Sequence, residues 1–157
     1  MTSTPSPTTA PSRLTDRPVL AVVVDDPNSA EVLQRAARIA SVLGAPLTVA
    51  LLHSLDGFST DAALVARRER DCRRRLQHLL AELQPVIGHP LRGTLLHHGW
   101  RPARWRRRLA GRLVVDAAQR CEARMVVAPP LLAAAASRLP VPMIVVEPAP
   151  APAQEEV

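Results

Sequence analysis

Short apolar runs alternate along the chain with longer segments in which apolar residues recur every three or four positions. An apolar run bounded by turn residues is typical of a strand that is covered on both faces, as in a parallel sheet. The pattern therefore predicts five strands, separated by helices. The predicted strands are VLAVVV (19–24), LTVALL (47–52), TLLHH (94–98), MVVA (125–128) and MIVV (143–146).

Three of the intervening segments have the periodicity of amphipathic helices, and a shorter helix is expected between the last two strands. Asn28 is expected to cap the first helix, with Glu31 completing a variant capping box, and Gly44 to end it. The second helix is predicted from about Asp61 to Gln84, and the third from Pro102 to about Glu122. The expected buried positions are Val32, Ala36, Ile39, Ala40 and Leu43 in the first helix; Val65, Cys72, Leu76, Leu79 and Leu83 in the second; and Trp105, Leu109, Leu113, Ala117 and Cys121 in the third.

Repeated alternation of strand and helix predicts an α/β fold with a five-stranded, mostly parallel sheet and helices on both faces. The length of 157 residues suits one compact domain, which we expect over residues 18–147. Residues 1–17 are rich in Ser, Thr and Pro, and residues 148–157 combine Pro and Ala with an acidic end. Both compositions favour disordered tails.

All of the basic charge comes from arginine, because the 20 basic residues include no lysine and the net charge is +6. The sequence GWRPARWRRRLAG (99–111) concentrates Arg104, Arg106, Arg107 and Arg108, which could form an anion patch because arginine neutralises phosphates. A solvated helix face is the alternative, and we favour it because no nucleic-acid-binding motif accompanies the charge. A nucleic-acid partner is therefore not expected.

Cysteines and histidines do not predict a metal site. Cys72 and Cys121 fall in helical segments without a CxxC spacing, which favours a reduced, cytoplasmic protein. His97 and His98 are adjacent on a strand and should point to opposite faces, and the spacing of the other histidines, His53 and His89 among them, suggests no shared metal. No apolar run has transmembrane length and no signal peptide is evident, so no membrane partner is expected.

Catalytic motifs are also missing from the sequence. Asp25 and Asp26 end the first strand as paired acids do in phosphoacceptor receiver domains, but the chain lacks the lysine and the third aspartate of such domains. It has no G-x-S-x-G elbow and no Walker or dinucleotide glycine pattern. We therefore expect Asp25 and Asp26 to form a turn, and we expect no enzymatic activity and no cofactor.

Several phrases, in order, resemble the universal stress protein family. VVVDDPNSAEVLQRAARIASVLGAPLTVALLHS resembles the first half of that family's domain, VVDAAQRCEARMVVAP its third helix and fourth strand, and LPVPMIVVEP its closing strand. The resemblance covers about residues 18–148 and implies a Rossmann-like fold of the adenine nucleotide alpha hydrolase type. It also implies that Asp25 occupies the family's aspartate near the nucleotide, although Asp26 replaces the glycine that follows.

The same resemblance implies that the family's phosphate loop is lost. Nucleotide-binding members follow the fourth strand with a G-x-x-G loop and a later G-S or G-T, whose amides hold phosphates. Here Pro129 and Pro130 follow that strand, and proline has no N–H to donate. We therefore expect a stress-associated or regulatory binding protein that does not hold ATP through a phosphate loop.

Four further expectations concern partners, ligands and function. The resemblance implies a homodimer through the last strand, and a protein partner is compatible with a binding role. The aspartate at Asp25 is compatible with a residual site for adenosine or another small ligand. An anion- or nucleic-acid-binding protein using the arginine-rich helices is the alternative function.

Overall fold

The computed structural model describes residues 16–24, 26, 28–54, 60–98, 103–148 and 150, so most of the two predicted tails lies outside the described residues. Five strands and three α-helices alternate, and a 3₁₀ helix joins the last two strands. The elements are β1 (Val19–Val24), α1 (Ser29–Leu43), β2 (Leu47–Ser54), α2 (Ala62–Leu83), β3 (Leu91–His98), α3 (Ala103–Arg120), β4 (Met125–Ala128), the 3₁₀ helix (Pro130–Arg138) and β5 (Met143–Val145).

The strand order is β3-β2-β1-β4-β5, and every neighbouring pair is parallel. The predicted α/β fold is thus confirmed, with a sheet that is entirely rather than mostly parallel. The third strand begins three residues before the predicted start at Thr94. Leu91 pairs with Leu47 there, so tertiary pairing extends the strand through Arg92 and Gly93, which interrupt the apolar pattern.

Strand residues alternate between two apolar clusters, one on each face of the sheet. Val19, Ala21 and Val23 pack with α1 and α2, whereas Leu20 and Val22 pack with α3 and the 3₁₀ helix. Burial on both faces explains why these strands are continuous apolar runs. The core is aliphatic, as the scarcity of aromatic residues requires.

The first helix starts and ends where predicted, but its N-cap differs from the predicted capping box. Asn28 occupies the cap position without a side-chain capping bond. The carboxylate of Asp26 instead accepts a hydrogen bond from the Asn28 amide at 3.0 Å. At the other end, Gly44 is left-handed, with φ of 60°, and so ends the helix.

The second helix matches its predicted limits, because Asp61 caps it and accepts hydrogen bonds from the amides of Ala63 and Leu64. Of its predicted buried line only Leu76 is fully buried, and the other four residues are half-buried. The helix packs over β2 and the edge strand β3, so most side chains on its core-facing side remain partly exposed. Within the described part of the chain, no helix is long and apolar enough to cross a membrane.

The predicted buried line of the third helix is wrong at its start. Trp105 is 51% exposed, and of the predicted line only Ala117 is fully buried, together with Ala110, Val114 and Ala118, which were not predicted. Small side chains are selected here because α3 packs against the sheet and the 3₁₀ helix together. A Cβ on Gly111 would lie 3.6 Å from the Cβ of Ala135, which shows how closely these two helices approach.

Candidate functional site

The strand order places the expected ligand site between β1 and β4. From β1 the chain proceeds outward through β2 and β3, and then returns to the other side of β1 to form β4. In open parallel sheets, ligands bind outside the carboxyl ends of the strands at such a reversal. The residues that follow β1 and β4 are therefore the ones to inspect.

On the β1 side of this site, the residues after the strand form a tight turn. The Asp26 amide donates to the Val24 carbonyl at 2.8 Å, and the Asp26 carbonyl accepts from the Ser29 amide at 3.2 Å. Together with its carboxylate bond to Asn28, these contacts confirm the predicted turn role for Asp26. Asp25, the predicted ligand residue, lies outside the described residues.

On the β4 side, the polypeptide enters the 3₁₀ helix through two prolines. Pro129 is fully buried with an extended backbone (φ −72°, ψ 164°), and Pro130 is the first residue of the 3₁₀ helix. Neither residue can donate a backbone hydrogen bond. The amide of Leu132 already donates to the Pro129 carbonyl at 3.1 Å. Of residues 129–132, only Leu131 therefore has a backbone N–H that could be directed at a ligand.

The 3₁₀ helix is held in place by apolar contacts with α3. Leu132 is 2% exposed and Ala135 is 4% exposed, and their spacing of three residues matches the three-residue turn of this helix type. Leu131, in contrast, is 43% exposed. Where a glycine-rich nest would present several amides to a phosphate, this chain has an alanine-rich helix anchored in the core.

Two histidines that are distant in the sequence lie close together at the carboxyl ends of β2 and β3. His53 pairs with His97 in the parallel register, and their ring centroids lie 6.2 Å apart in an edge-to-face arrangement. His97 and His98 are neighbours in the sequence, whereas the contact of His97 with His53 depends on the register of β2 and β3. Among the described residues, no three His, Cys, Asp or Glu side chains come together as a metal site.

The arginine-rich segments lie on opposite faces of the sheet, because α2 packs with α1 on one face and α3 packs on the other. Within the predicted anion patch, Arg107 and Arg108 are exposed and Arg106 is half-buried, while the side chain of Arg104 lies outside the described residues. The structure therefore does not combine the α2 and α3 arginines into one basic surface.

On α2, two arginines lie near acidic residues of the same helix. Arg73 lies 2.7 Å from Glu69, and Arg74 lies 3.7 Å from Asp71. Both pairs are exposed, and such pairs stabilise a protein by only about 0.2–1 kcal/mol. These contacts are typical of a solvated helix face.

Comparison with known proteins identifies the fold through structure rather than sequence. No protein-family model matches the sequence, and a search of curated proteins finds no match. A universal stress protein family member from Burkholderia pseudomallei superposes with a TM-score of 0.63 at 17% identity, covering 87% of this chain and 98% of that one. The Archaeoglobus fulgidus universal stress protein in complex with dAMP superposes with a TM-score of 0.57 at 21% identity, covering 85% of this chain and 98% of that one.

A third structure, a universal stress protein in complex with cAMP, gives a TM-score of 0.62 at 15% identity, covering 84% of this chain and 97% of that one. The likeness extends over nearly the whole length of each of these proteins, so it concerns the complete domain. At these identities, the likeness establishes the fold. The chain has the α/β fold of universal stress proteins.

Proposed function

We propose that the protein is a non-catalytic, stress-associated or regulatory binding protein of the universal stress protein type, which acts in the cytoplasm and does not hold ATP through a phosphate loop. The observation that carries this proposal is the Pro129–Pro130 pair directly after β4. This turn faces the place where the reversal of strand order positions a ligand.

The magnitude of the lost interactions supports weak triphosphate binding. A hydrogen bond to a charged group contributes about 1.5–3 kcal/mol, so two missing amides remove about 3–6 kcal/mol. That loss corresponds to roughly two to four orders of magnitude in affinity. Because Leu132 bonds within the 3₁₀ helix, its amide offers no replacement.

A nucleoside or nucleoside monophosphate remains the ligand class to test. Two structures with this fold contain dAMP and cAMP, which are monophosphates. Such ligands depend less on a phosphate nest than ATP does, because they carry less charge. We propose Asp25 as the residue nearest to a bound nucleoside, which follows from its position after β1 and from the family resemblance.

Calorimetric titration with MgATP, cAMP, dAMP and adenosine tests the proposal. We expect no heat of binding from MgATP at millimolar concentration, because the turn after β4 lacks the required amides. The variant Pro130→Gly restores one amide at an exposed position, and Pro130→Ala restores the same amide without glycine's flexibility. Saturable micromolar binding of MgATP by the unmodified protein would contradict the proposal.

The absence of catalysis is proposed on the chemistry of the described carboxyl edge. The carboxylate of Asp26 accepts a hydrogen bond within its own turn, so it is committed to local structure. His53 and His97 contact each other across the ladder. Release of inorganic phosphate from MgATP at a rate above the uncatalysed background, and lost on Asp26→Asn substitution, would contradict this part of the proposal.

A homodimer through β5 is part of the same proposal. The strand is one of the two edge strands of the sheet, next to β4. Exposed strand edges are commonly covered by a partner or by charged and proline residues. Pro148 follows the strand closely and is exposed, so it would limit any pairing to a short segment.

A further inference from the structure

We propose that a cleft at the amino ends of β1, β2 and β3 binds small organic anions. This amino-edge cleft has a volume of about 590 Å³ and opens on the α3 face of the sheet. It lies at the opposite end of the strands from the site between β1 and β4. Its lining includes Leu20, Thr48, Arg92 and Thr94 from the sheet, and Ala117 and Arg120 from α3.

The cleft is a consequence of the fold's topology. The helix α3 carries the chain from the carboxyl end of β3 to the amino end of β4, and β2 and β1 lie between those strands. It must therefore cross the sheet obliquely. Near the carboxyl end it covers Leu96 of β3, whereas near the amino end its last turn leaves the corner formed by β2 and β3 open.

The residues at this open corner are polar, unlike the rest of that sheet face. The register aligns Leu20, Thr48 and Arg92 in one row across β1, β2 and β3. The next row along the strands contains Val22, Ala50 and Thr94. Thr48 lines the cleft and is only 8% exposed, so it lies at the bottom, with Thr94 on the neighbouring strand.

Guanidinium groups supply the charge of the cleft. Arg17, Arg92 and Arg120 line it, together with the carboxylates of Asp16 and Glu122. Within the described residues, none of these three arginines lies within 4.0 Å of a carboxylate. The Nε of Arg120 donates to the Asp116 carbonyl at 3.4 Å, which leaves its terminal nitrogens available.

The remaining groups favour an anion that has an apolar part. Burial raises the pKa of the Cys121 thiol, so this lining residue stays neutral at physiological pH. Pro18, Pro46 and Pro90, which are half-buried or exposed, provide apolar surface beside the arginines. The volume falls within the roughly 300–1,000 Å³ of small-molecule sites. A carboxylate or phosphate monoester on a small hydrocarbon ring matches this combination, since arginine pairs with either oxyanion in a bidentate manner.

Titration of the ¹⁵N-labelled full-length protein with phenyl phosphate, benzoate and inorganic phosphate tests the proposal by NMR. We expect saturable shifts for the amides of Thr48, Gly93 and Thr94, and none for Val24 and Ala128 at the other end of the strands. Phenyl phosphate or benzoate should bind at least about tenfold more tightly than inorganic phosphate, because the apolar wall contributes. The tighter of the two identifies the preferred oxyanion.

Matched arginine variants distinguish specific binding in the cleft from non-specific attraction of anions to a basic protein. Arg92→Gln and Arg120→Gln should each weaken binding at least about tenfold. Arg107→Gln removes the same charge from an exposed position on α3 outside the cleft, and it should leave the affinity unchanged. All three positions are exposed, so folding is not at risk.

Two results would overturn the proposal: no saturable binding of any probe at about 10 mM, or equal weakening by Arg92→Gln and Arg107→Gln. Neither result bears on the site between β1 and β4, which lies at the opposite end of the sheet.

Discussion

At the scale of single residues, Gly93 shows how a position can be dictated by a neighbouring helix. A Cβ at this position would lie 2.6 Å from Leu80 Cδ1 and 3.1 Å from Leu76 Cδ2. The missing side chain therefore lets α2 pack closely on the edge strand β3. Sequence reasoning had no signal for this contact, because Leu76 and Leu80 precede Gly93 by more than ten residues.

We expect Gly93→Val to destabilise the protein by about 1–3 kcal/mol, since the branched side chain must displace two leucines. Thr94→Val places the same residue at the next position, on the opposite face of the sheet. It should change stability by less than about 0.5 kcal/mol. Urea unfolding followed by circular dichroism measures both, and equal stability of the two variants would contradict the expected clash.

Glu122 is the second informative residue, because it has a positive φ of 51° without being glycine. It follows the last turn of α3, where the Ala123 amide donates to the Ala118 carbonyl at 2.8 Å. Helices commonly end with a left-handed residue at this position, and glycine adopts that conformation without steric cost. Glutamate here therefore stores backbone strain of about 1 kcal/mol.

Glu122→Gly should raise the free energy of unfolding by about 0.5–1 kcal/mol, because it relieves that strain. Glu122→Ala removes the same carboxylate but keeps the Cβ, so it should give little or no gain. Chemical denaturation at neutral pH compares the two variants. A gain for alanine as large as that for glycine would assign the effect to charge instead of backbone conformation.

At the scale of elements, β5 pairs with β4 on one side, and none of the described residues pairs with it on the other side. The Val126 amide donates to the Pro142 carbonyl at 3.0 Å, and the Val146 amide donates to the Ala128 carbonyl at 2.9 Å. Because successive residues of a strand direct their backbone groups to opposite sides, the N–H groups of Met143 and Val145 face the open edge. A partner strand would bond to these groups.

Val145→Pro removes one of these outward donors, and edge strands tolerate proline where the N–H faces away from the sheet. If the proposed dimer forms through β5, the proline variant should be monomeric, while Val145→Thr, which keeps the N–H, should remain dimeric. Analytical ultracentrifugation gives the masses, and circular dichroism checks folding. A wild-type protein that is monomeric at about 100 μM would refute the dimer, since stable interfaces persist at such concentrations.

At the scale of the whole molecule, the placement of charge argues against a single nucleic-acid-binding surface. The protein carries a net charge of +6, supplied by arginine. The arginines of α2 and those of α3 lie on opposite faces of the sheet. A duplex could therefore contact only one set at a time, which limits the number of neutralised phosphates.

We expect low affinity for duplex DNA at 50 mM salt and a shallow salt dependence, because each phosphate neutralised adds about one to the slope of log K against log salt. Arg70→Gln on α2 and Arg107→Gln on α3 should weaken this binding slightly and to the same degree. Gel-shift titrations at two salt concentrations measure the affinity for DNA and its salt dependence. Tight binding with a slope steeper than about six, lost in one variant alone, would support the alternative function.

The sequence predicted the elements well and some of their packing incorrectly, and the errors have a common origin. Helix limits followed from local signals such as the Asp61 cap and Gly44, which act within a few residues. The buried line of α3 was predicted correctly at Ala117 but wrongly at Trp105, because the buried face of this helix depends on the close approach of the 3₁₀ helix. The early start of β3 at Leu91 was missed because only pairing with β2 makes it a strand.

In the candidate site, too, the features set by local sequence were predicted and those set by tertiary packing were not. Pro129 and Pro130 lack an N–H in any conformation, so the sequence by itself determined that neither residue can donate a backbone hydrogen bond in the turn after β4. The contact of His53 with His97 and the cleft beside Arg92 were decided only by the tertiary structure. Covalent chemistry and local backbone preference are properties of a residue and its near neighbours, whereas register and the oblique path of α3 arise only when distant segments pack.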